Sequence, residues 1–232
     1  MNKGIVFDFD GVIINSHEVQ MRALETAYRA VIGEGDIPYD GFFRLSGDSL
    51  ENIFTFLGFP LKMLSIYRDY SKHNVSLIKM HDGFFEILQE VKSKNCFAIL
   101  CTGKERLRTC DILKNLSIEH YFDAIICSDD VKRPKPHPES IYIAMDRYKI
   151  KRENMIMIGD GINDIKCAQK AGIESVGVLW GDTSPQELIS EGPDVIVNNT
   201  LELKYLVNYW ILNGAFAPNM KANLLINNRL NC

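Results

Sequence analysis

The fold is decided by the stretch Gly4-Ile5-Val6-Phe7-Asp8-Phe9-Asp10-Gly11, in which an apolar strand runs directly into two aspartates and a glycine. The nearly continuous apolar character is typical of a strand in a parallel sheet covered on both faces. Successive strand side chains point to opposite faces, so Asp8 and Asp10 converge only if the chain turns at once, and Gly11 permits that turn. The alternative is a plain strand end whose aspartates only cap backbone amides.

Three later segments also bring residues suited to phosphate chemistry to strand ends and loops. They are Ala98-Ile99-Leu100-Cys101-Thr102-Gly103, Arg133-Pro134-Lys135-Pro136-His137-Pro138 and Met155-Ile156-Met157-Ile158-Gly159-Asp160-Gly161-Ile162-Asn163-Asp164. The carboxyl ends of parallel strands form one binding edge, so residues remote in sequence can meet there. The set is the inventory of a magnesium-dependent phosphoryl-transfer site.

The first three segments supply the reacting groups. We predict that Asp8 attacks phosphorus to form an aspartyl-phosphate and that Asp10 serves as general acid and then general base. Lys135, stiffened by its flanking prolines, is predicted to neutralise phosphate oxygens and the Asp8 charge. Thr102 and Gly103 are predicted to open a helix whose free amides bind an anion, with an ordinary threonine cap as the alternative.

The fourth segment supplies metal ligands. Asp160 at a strand end and Asp164 one helical turn later can share a face. Hard carboxylate oxygens suit Mg²⁺, which binds through one or two carboxylates plus phosphate. The alternative is a helix start enriched in acids that complement the helix dipole.

The composition limits the partners and the compartment. The chain has 232 residues, a net charge of −4 and no basic cluster, so nucleic acid and anionic membranes are poor partners. No apolar run is long enough to span a bilayer. Six cysteines without a C-x-x-C pair indicate buried free thiols in a reducing compartment, and we expect a cytoplasmic monomer or weak dimer.

The order of elements predicts an α/β fold in two parts. From Gly83 onward, strands alternate with helices, which indicates βαβ units and a parallel sheet. Residues 15–82 look helical, with Ser16 as a cap of the first helix and no strand between Ile14 and Phe97. We therefore predict a discontinuous core of residues 1–14 and 83–232 and a helical cap of residues 15–82. The asparagine-rich tail, 213–232, is predicted to be loosely ordered.

Together, the four motifs resemble those of the haloacid dehalogenase-like hydrolase superfamily, in order and across nearly the whole chain. The resemblance implies a Rossmann-like core with a helical C1-type cap, Mg²⁺ and a phosphoaspartate on Asp8. It also implies metal contacts from the Asp8 carboxylate, the Asp10 main-chain carbonyl and Asp160, with support from Asp164. The implied phosphate contacts are Asp8, Gly11, Thr102, Gly103 and Lys135.

Within the superfamily, the chain is most similar to phosphoglycolate-phosphatase-like members. Four local stretches also resemble phosphatases associated with 3-amino-5-hydroxybenzoate biosynthesis: Met21 to Gly35, Gly58-Phe59-Pro60-Leu61, Ser128 to Pro138 and Leu179-Trp180-Gly181. The expected function is Mg²⁺-dependent hydrolysis of a small phosphorylated metabolite.

Other members of the superfamily remain as alternatives. A β-phosphoglucomutase-like phosphotransferase usually carries a cap arginine where this chain reads Ser46-Gly47-Asp48-Ser49-Leu50, without arginine. A phosphonoacetaldehyde-type hydrolase needs a lysine there, and a true dehalogenase lacks the second aspartate that Asp10 supplies. A catalytically silent binding protein of the same fold is the alternative from another class.

Overall fold

The computed structural model describes residues 2–218 and 220, and the prediction for the tail beyond Met220 lies outside these residues. The described strands are β1 (Gly4–Phe7), β2 (Ile14–Asn15), β3 (Lys79–Met80), β4 (Phe97–Cys101), β5 (Ala124–Ile126), β6 (Met155–Gly159), β7 (Glu174–Val178) and β8 (Val195–Val197). The described α-helices are α1 (His17–Val31), α2 (Tyr39–Phe43), α3 (Leu50–Phe56), α4 (Met63–His73), α5 (Phe84–Ser93), α6 (Arg106–Asn115), α7 (Glu139–Tyr148), α8 (Ile162–Ala171), α9 (Pro185–Ser190) and α10 (Thr200–Asn213).

Six strands form one parallel sheet in the order β5-β4-β1-β6-β7-β8. Counted along the chain, these six strands lie in the order 3-2-1-4-5-6, which is the Rossmann arrangement. In the centre, Val6 of β1 aligns with Ile99 of β4 and with Met157 of β6. The strand order reverses beside β1, and this switch point is where such sheets bind ligands. The predicted α/β, Rossmann-like fold is confirmed.

The sheet is buried on both faces, which explains the continuous apolar character of its strands. Ile5 and Phe7 pack in one apolar cluster with residues of α5 and α10, and Phe7 meets Phe84 edge to face with ring centroids 5.7 Å apart. Val6 packs in a second cluster with residues of α7 and α8 on the other face. Alternate side chains of one strand therefore serve two cores.

Strands and helices alternate from Gly83 onward as predicted, with one correction. Thr102 and Gly103 do not open a helix, because α6 begins at Arg106 and the preceding Glu105 is extended with φ −71° and ψ 153°. An extended residue at that position leaves Thr102 and Gly103 in a loop. No helix among the described residues is long and apolar enough to cross a membrane.

The expectation of no strand between Ile14 and Phe97 is wrong. β2 and β3 pair antiparallel, with Ile14 opposite Met80 and Asn15 opposite Lys79, and the amide of His81 donates to the carbonyl oxygen of Ile13 at 2.9 Å. Strands of two residues are too short to produce an alternating pattern of apolar and polar residues, so no local signal predicts them. The pair ties together the two chain segments that lead into and out of the helices α1–α4.

The helices between β2 and β3 have an apolar cluster of their own. Phe42, Phe54, Phe59 and Tyr67 are buried in it, and Phe54 meets both Phe59 and Tyr67 edge to face with centroids 5.5 and 5.8 Å apart. A separate cluster is what an inserted domain needs to fold over the sheet edge. This packing supports the division into a cap of residues 15–82 and a discontinuous core, which stays a prediction.

Candidate active site

A tight turn after β1 brings Asp8 and Asp10 to the same cavity. The amides of Ile13 and Ile14 both donate to the carbonyl oxygen of Phe9 at 3.0 Å, and Gly11 has φ +73°. A Cβ at Gly11 would lie 2.2 Å from Oδ2 of Asp160, so both the backbone angle and the close approach require glycine. The turn that the sequence only permitted is therefore present.

Lys135 links two of the predicted carboxylates. It is 3% exposed, and its Nζ donates to Oδ1 of Asp8, to Oδ1 of Asp164 at 2.6 Å and to the carbonyl oxygen of Cys101 at 3.1 Å. Burial acts to lower the pKa of Lys135, but the charges of Asp164 and Asp8 raise it well above its ordinary value. The lysine is therefore a fixed cation at the switch point.

Asp160 lies beside this cluster and is incompletely satisfied. It is 1% exposed, and its Oδ2 accepts from the amide of Asp182 at 2.8 Å. Its Oδ1 is buried and accepts no hydrogen bond from any of the described residues. Burial, followed by the nearby charges of Asp8 and Asp164, raises the pKa of Asp160 well above its ordinary value. A carboxylate in this setting requires a proton or a cation.

Asp8, Asp160 and Asp164 can offer ligand oxygens that lie within 4.8 Å of one another. All three residues offer hard carboxylate oxygens, and Oδ1 of Asp160 accepts no hydrogen bond from the described residues. Such oxygen ligands match the preference of a divalent cation such as Mg²⁺. Asp164 lies in the first turn of α8, where its charge also complements the helix dipole, and its Oδ2 accepts from the amide of Gly161 at 3.0 Å. The acidic cluster therefore suits a divalent metal.

Asp8 itself is buried, and burial, reinforced by the charge of Asp164 and opposed by Lys135, raises its pKa to about 7. A carboxylate attacks phosphorus only in its ionised form. An added cation beside Asp160 would favour that form through its charge. The same site that suits a metal therefore also favours a reactive Asp8.

Asp10, in contrast to Asp160, is surrounded by hydrogen-bond donors. Its Oδ1 accepts from Ser16 Oγ, from Gln20 Nε2 at 3.2 Å and from Lys104 Nζ at 2.5 Å. Burial acts to raise the pKa of Asp10, but Lys104 and Ser16 hold it below its ordinary value. Ser16 is the N-cap residue of α1 as predicted, but its side chain accepts no capping hydrogen bond from a helix amide and donates to Asp10 instead.

Thr102 and Gly103 lie at the carboxyl end of β4, as the sequence predicted. Thr102 is buried, and its Oγ1 accepts from the amide of Lys104 at 3.1 Å. A Cβ on Gly103 would lie 2.2 Å from the carbonyl oxygen of Asp48, so the loop that precedes α3 presses directly against this glycine. The phosphate contacts assigned to Gly11, Thr102, Gly103 and Lys135, and the metal contact of the Asp10 carbonyl, stay predictions.

Sequence reasoning missed two cations of this site. Lys104 is 6% exposed, and both Lys104 and Arg108 line the cavity that contains Asp8 and Asp10. The available signal was position along the chain, since Lys104 follows Thr102-Gly103 directly and Arg108 lies four residues further along. Lysine and arginine after a strand are usually solvated, so the pattern alone does not mark them as site residues.

The cavity is closed by the loop before α3. Asn163 Nδ2 donates to the carbonyl oxygens of Ser46 and Leu45 at 3.2 and 3.4 Å, and Arg68 of α4 pairs with Glu105 in front of α6. The enclosed cavity measures about 30 Å³, which is room for about two water molecules. This conformation therefore encloses the carboxylates of Asp8 and Asp10.

The fold and the site together define an α/β protein with a Rossmann-like sheet, whose acidic centre lies at the switch point beneath an inserted helical segment. The family model for haloacid dehalogenase-like hydrolases matches residues 5–178, which is most of the chain, and the chain belongs to this family. The predicted superfamily is confirmed.

Individual relatives agree with this assignment. The chain is 28% identical over 217 residues to the pyrophosphatase PpaX of Bacillus velezensis, covering 87% of this chain and 94% of the relative. A structure of a predicted phosphatase from Clostridium acetobutylicum matches with a TM-score of 0.77 at 27% identity, covering 88% of this chain and 98% of that one. A predicted phosphoglycolate phosphatase from Haemophilus somnus, 19% identical with a TM-score of 0.76 and coverage of 87% and 96%, shares the fold.

These findings support the predicted enzyme class: the chain is a phosphatase of the haloacid dehalogenase-like family. The predicted phosphoglycolate phosphatase from Haemophilus somnus shows the shared fold alone, so the similarity to the phosphoglycolate-phosphatase-like subgroup stays a prediction. The local resemblance to phosphatases of 3-amino-5-hydroxybenzoate biosynthesis stays a prediction.

Proposed function

We propose that the protein is a Mg²⁺-dependent phosphatase that hydrolyses a small phosphorylated metabolite through an aspartyl-phosphate on Asp8. One observation carries the proposal: Asp8, Lys135, Asp160 and Asp164 meet in a single buried cluster at the switch point of the sheet. This arrangement supplies a nucleophile, a fixed cation and a set of hard oxygen ligands within contact of one another.

The reaction divides into two displacements. An oxygen of Asp8 forms the bond to phosphorus while the bond to the leaving oxygen breaks, and Asp10 gives that oxygen a proton. Asp10 then takes a proton from a water molecule that attacks the phosphoaspartate, which releases inorganic phosphate and restores Asp8. Lys135 offsets the negative charge on the phosphoryl oxygens throughout.

The metal would be held by Asp8, Asp160 and the main-chain carbonyl of Asp10, with Asp164 in support. When bound, Mg²⁺ supplies positive charge to the phosphoryl oxygens and orients them for in-line displacement. Asp164 keeps Lys135 in place beside Asp8, through the contact at 2.6 Å between its Oδ1 and Nζ of the lysine. The amide of Asp182 orients Asp160 in the same way.

The size of the enclosed cavity limits the substrate. About 30 Å³ does not admit a phosphate ester, so the helical segment must move away from Gly103 and Asn163 for entry and close again over a small substrate. Closure excludes water, which strengthens the interactions of Lys135 with phosphate. Since the curated relatives are pyrophosphatases, inorganic pyrophosphate belongs among the substrates to be tested.

The proposal is tested by phosphate release from p-nitrophenyl phosphate and a panel of small phosphorylated metabolites, with and without Mg²⁺. The Asp8→Asn variant should lose at least about 10⁴-fold in turnover while keeping its circular dichroism spectrum, because it lacks the attacking oxygen. The matched control is Asp146→Asn, the same change at a side chain that is 87% exposed, which should turn over normally.

Turnover by Asp8→Asn close to that of the wild type would refute the nucleophile. The rival phosphotransferase is tested with both anomers of glucose 1-phosphate. Isomerisation without phosphate release would favour that alternative over hydrolysis.

A further inference from the structure

We propose that Lys104 and Arg108 form an anion subsite, so that the enzyme selects phosphate esters or anhydrides whose leaving group carries a second negative charge. This inference rests on the proposed function and specifies its substrate class. The second charge is a carboxylate or a second phosphate, since both present oxygen pairs that an arginine recognises.

The placement of the two cations is the first argument. Both line the same cavity as Asp8 and Asp10, Lys104 from the loop before α6 and Arg108 from the first turn of that helix. Lys104 Nζ donates to Asp10, which is the residue proposed to protonate the leaving oxygen. A group bound by this pair therefore lies on the leaving-group side of the transferring phosphate.

The second argument is an unfilled donor on Arg108. Its Nη1 donates to Oε2 of Glu105 at 3.1 Å, and its guanidinium lies 5.2 Å from the centroid of the Tyr67 ring. Its Nε is buried and has no acceptor among the described residues. A buried N–H of a charged group without an acceptor is costly, and a ligand oxygen would remove that cost.

The third argument is the character of the remaining wall. The helical segment lines the cavity with the apolar side chains of Phe42, Leu50 and Ile53, beside the polar Gln20, Ser46 and Asp48. Charge–charge interactions are stronger in such surroundings than in water. A neutral leaving group would leave Nε of Arg108 without an acceptor, whereas an anionic one would supply it, so the closed state discriminates between the two.

Binding of non-hydrolysable phosphonates to the Mg²⁺-loaded enzyme, measured by calorimetry, is the direct test. Phosphonoacetate carries a second charge, and propylphosphonate of similar size does not. We expect the wild type to prefer phosphonoacetate by about 10- to 100-fold, as for a charge-assisted hydrogen bond. Arg108→Met should bring this ratio close to one, and Arg108→Lys should give an intermediate ratio because it keeps the charge but loses the planar fork.

The matched control is Lys114→Met, which removes an exposed cation from the same helix and should keep the wild-type ratio. Thermal unfolding confirms that each variant is folded. Equal binding of the two phosphonates by the wild type, or an unchanged ratio in Arg108→Met, would overturn the subsite.

Hydrolysis distinguishes the two kinds of second charge. The values of kcat/KM for phosphoglycolate and for pyrophosphate are compared with that for the neutral 2-hydroxyethyl phosphate, and the better of the two anions identifies the class. Arg108→Met should lower the ratio of anionic to neutral kcat/KM by about 10- to 100-fold. Absence of phosphate release from every ester, p-nitrophenyl phosphate included, would refute the proposed function, and the binding ratio would still decide the subsite.

Discussion

Asp10 and Asp160 are both buried carboxylates at the carboxyl edge of one sheet, yet their surroundings are opposite. Three donors converge on Oδ1 of Asp10, and its pKa lies below the ordinary value. Asp160 has one oxygen without a donor among the described residues, and burial among other carboxylates raises its pKa. The protein's own side chains stabilise the charge of Asp10, whereas the charge of Asp160 requires a proton or a bound cation.

This difference matches the two roles proposed for these residues, proton transfer for Asp10 and metal binding for Asp160. A proton-transferring group must keep a fixed orientation, and the donors Ser16, Gln20 and Lys104 fix Asp10. A metal ligand must instead keep its lone pairs open in the protein without metal, which is what the environment of Asp160 provides. The comparison therefore predicts that substitutions at the two sites have different signatures in metal response and in stability.

The largest effect is expected for Asp160→Asn. The Mg²⁺ concentration for half-maximal phosphate release should rise by at least about 10²-fold, because even an outer-shell partner of a ligand is worth 10–100-fold. Without Mg²⁺, the variant should be more stable than the wild type by about 1–3 kcal/mol, since it no longer buries an unsatisfied carboxylate. Mg²⁺ titrations of activity and of thermal unfolding measure both.

The isosteric change Asp146→Asn at the exposed position serves as the control for these titrations. Mg²⁺ should raise the unfolding temperature of the wild type and of this control, because it binds only the folded protein. An unchanged Mg²⁺ response of the Asp160→Asn protein would show that Asp160 is not a metal ligand.

A smaller effect on activity, with the opposite effect on stability, is expected for Lys104→Met. The variant leaves the Asp10 carboxylate buried without its cation, so the free energy of unfolding should fall by about 3–5 kcal/mol. Phosphate release should slow by about 10²-fold, which is the usual scale for a proton-transferring group. Urea unfolding measures the change in stability, and steady-state kinetics measure the change in rate. The Mg²⁺ concentration for half-maximal activity should stay near that of the wild type.

The double variant Lys104→Met with Asp10→Asn tests the cause of the stability loss expected for Lys104→Met. Removing both charges should recover most of the lost stability, since the cost lies in the unpaired charge and not in the lost contact. A double variant as unstable as the single one would show that Lys104 stabilises the protein by packing alone.

The sequence predicted the sheet and the residues at its edge because both follow from local patterns. Apolar runs that end in Asp8, Thr102 and Asp160 were visible along the chain, and the Rossmann order brings such ends together. The partners of Asp10 were not visible, because Lys104 lies in the loop after β4 and Ser16 precedes α1, and only the tertiary structure brings both to one oxygen. The unsatisfied oxygen of Asp160 likewise depends on burial, which no single segment specifies.

The smallest effect is expected for Ser16→Ala, and it separates the structural role found here from the helix-cap role that the sequence predicted. Loss of one neutral donor to Asp10 should lower the free energy of unfolding by about 1 kcal/mol and kcat by about 5-fold. Loss of a cap would cost similar stability but leave kcat unchanged. Ser16→Asp sharpens the distinction, because aspartate is a good cap yet places a second carboxylate against Asp10. If the Ser16 hydroxyl stabilises Asp10, the Ser16→Asp variant should be less stable and slower than Ser16→Ala. A Ser16→Asp protein as stable and active as the wild type would instead support a role of the Ser16 side chain as a helix cap.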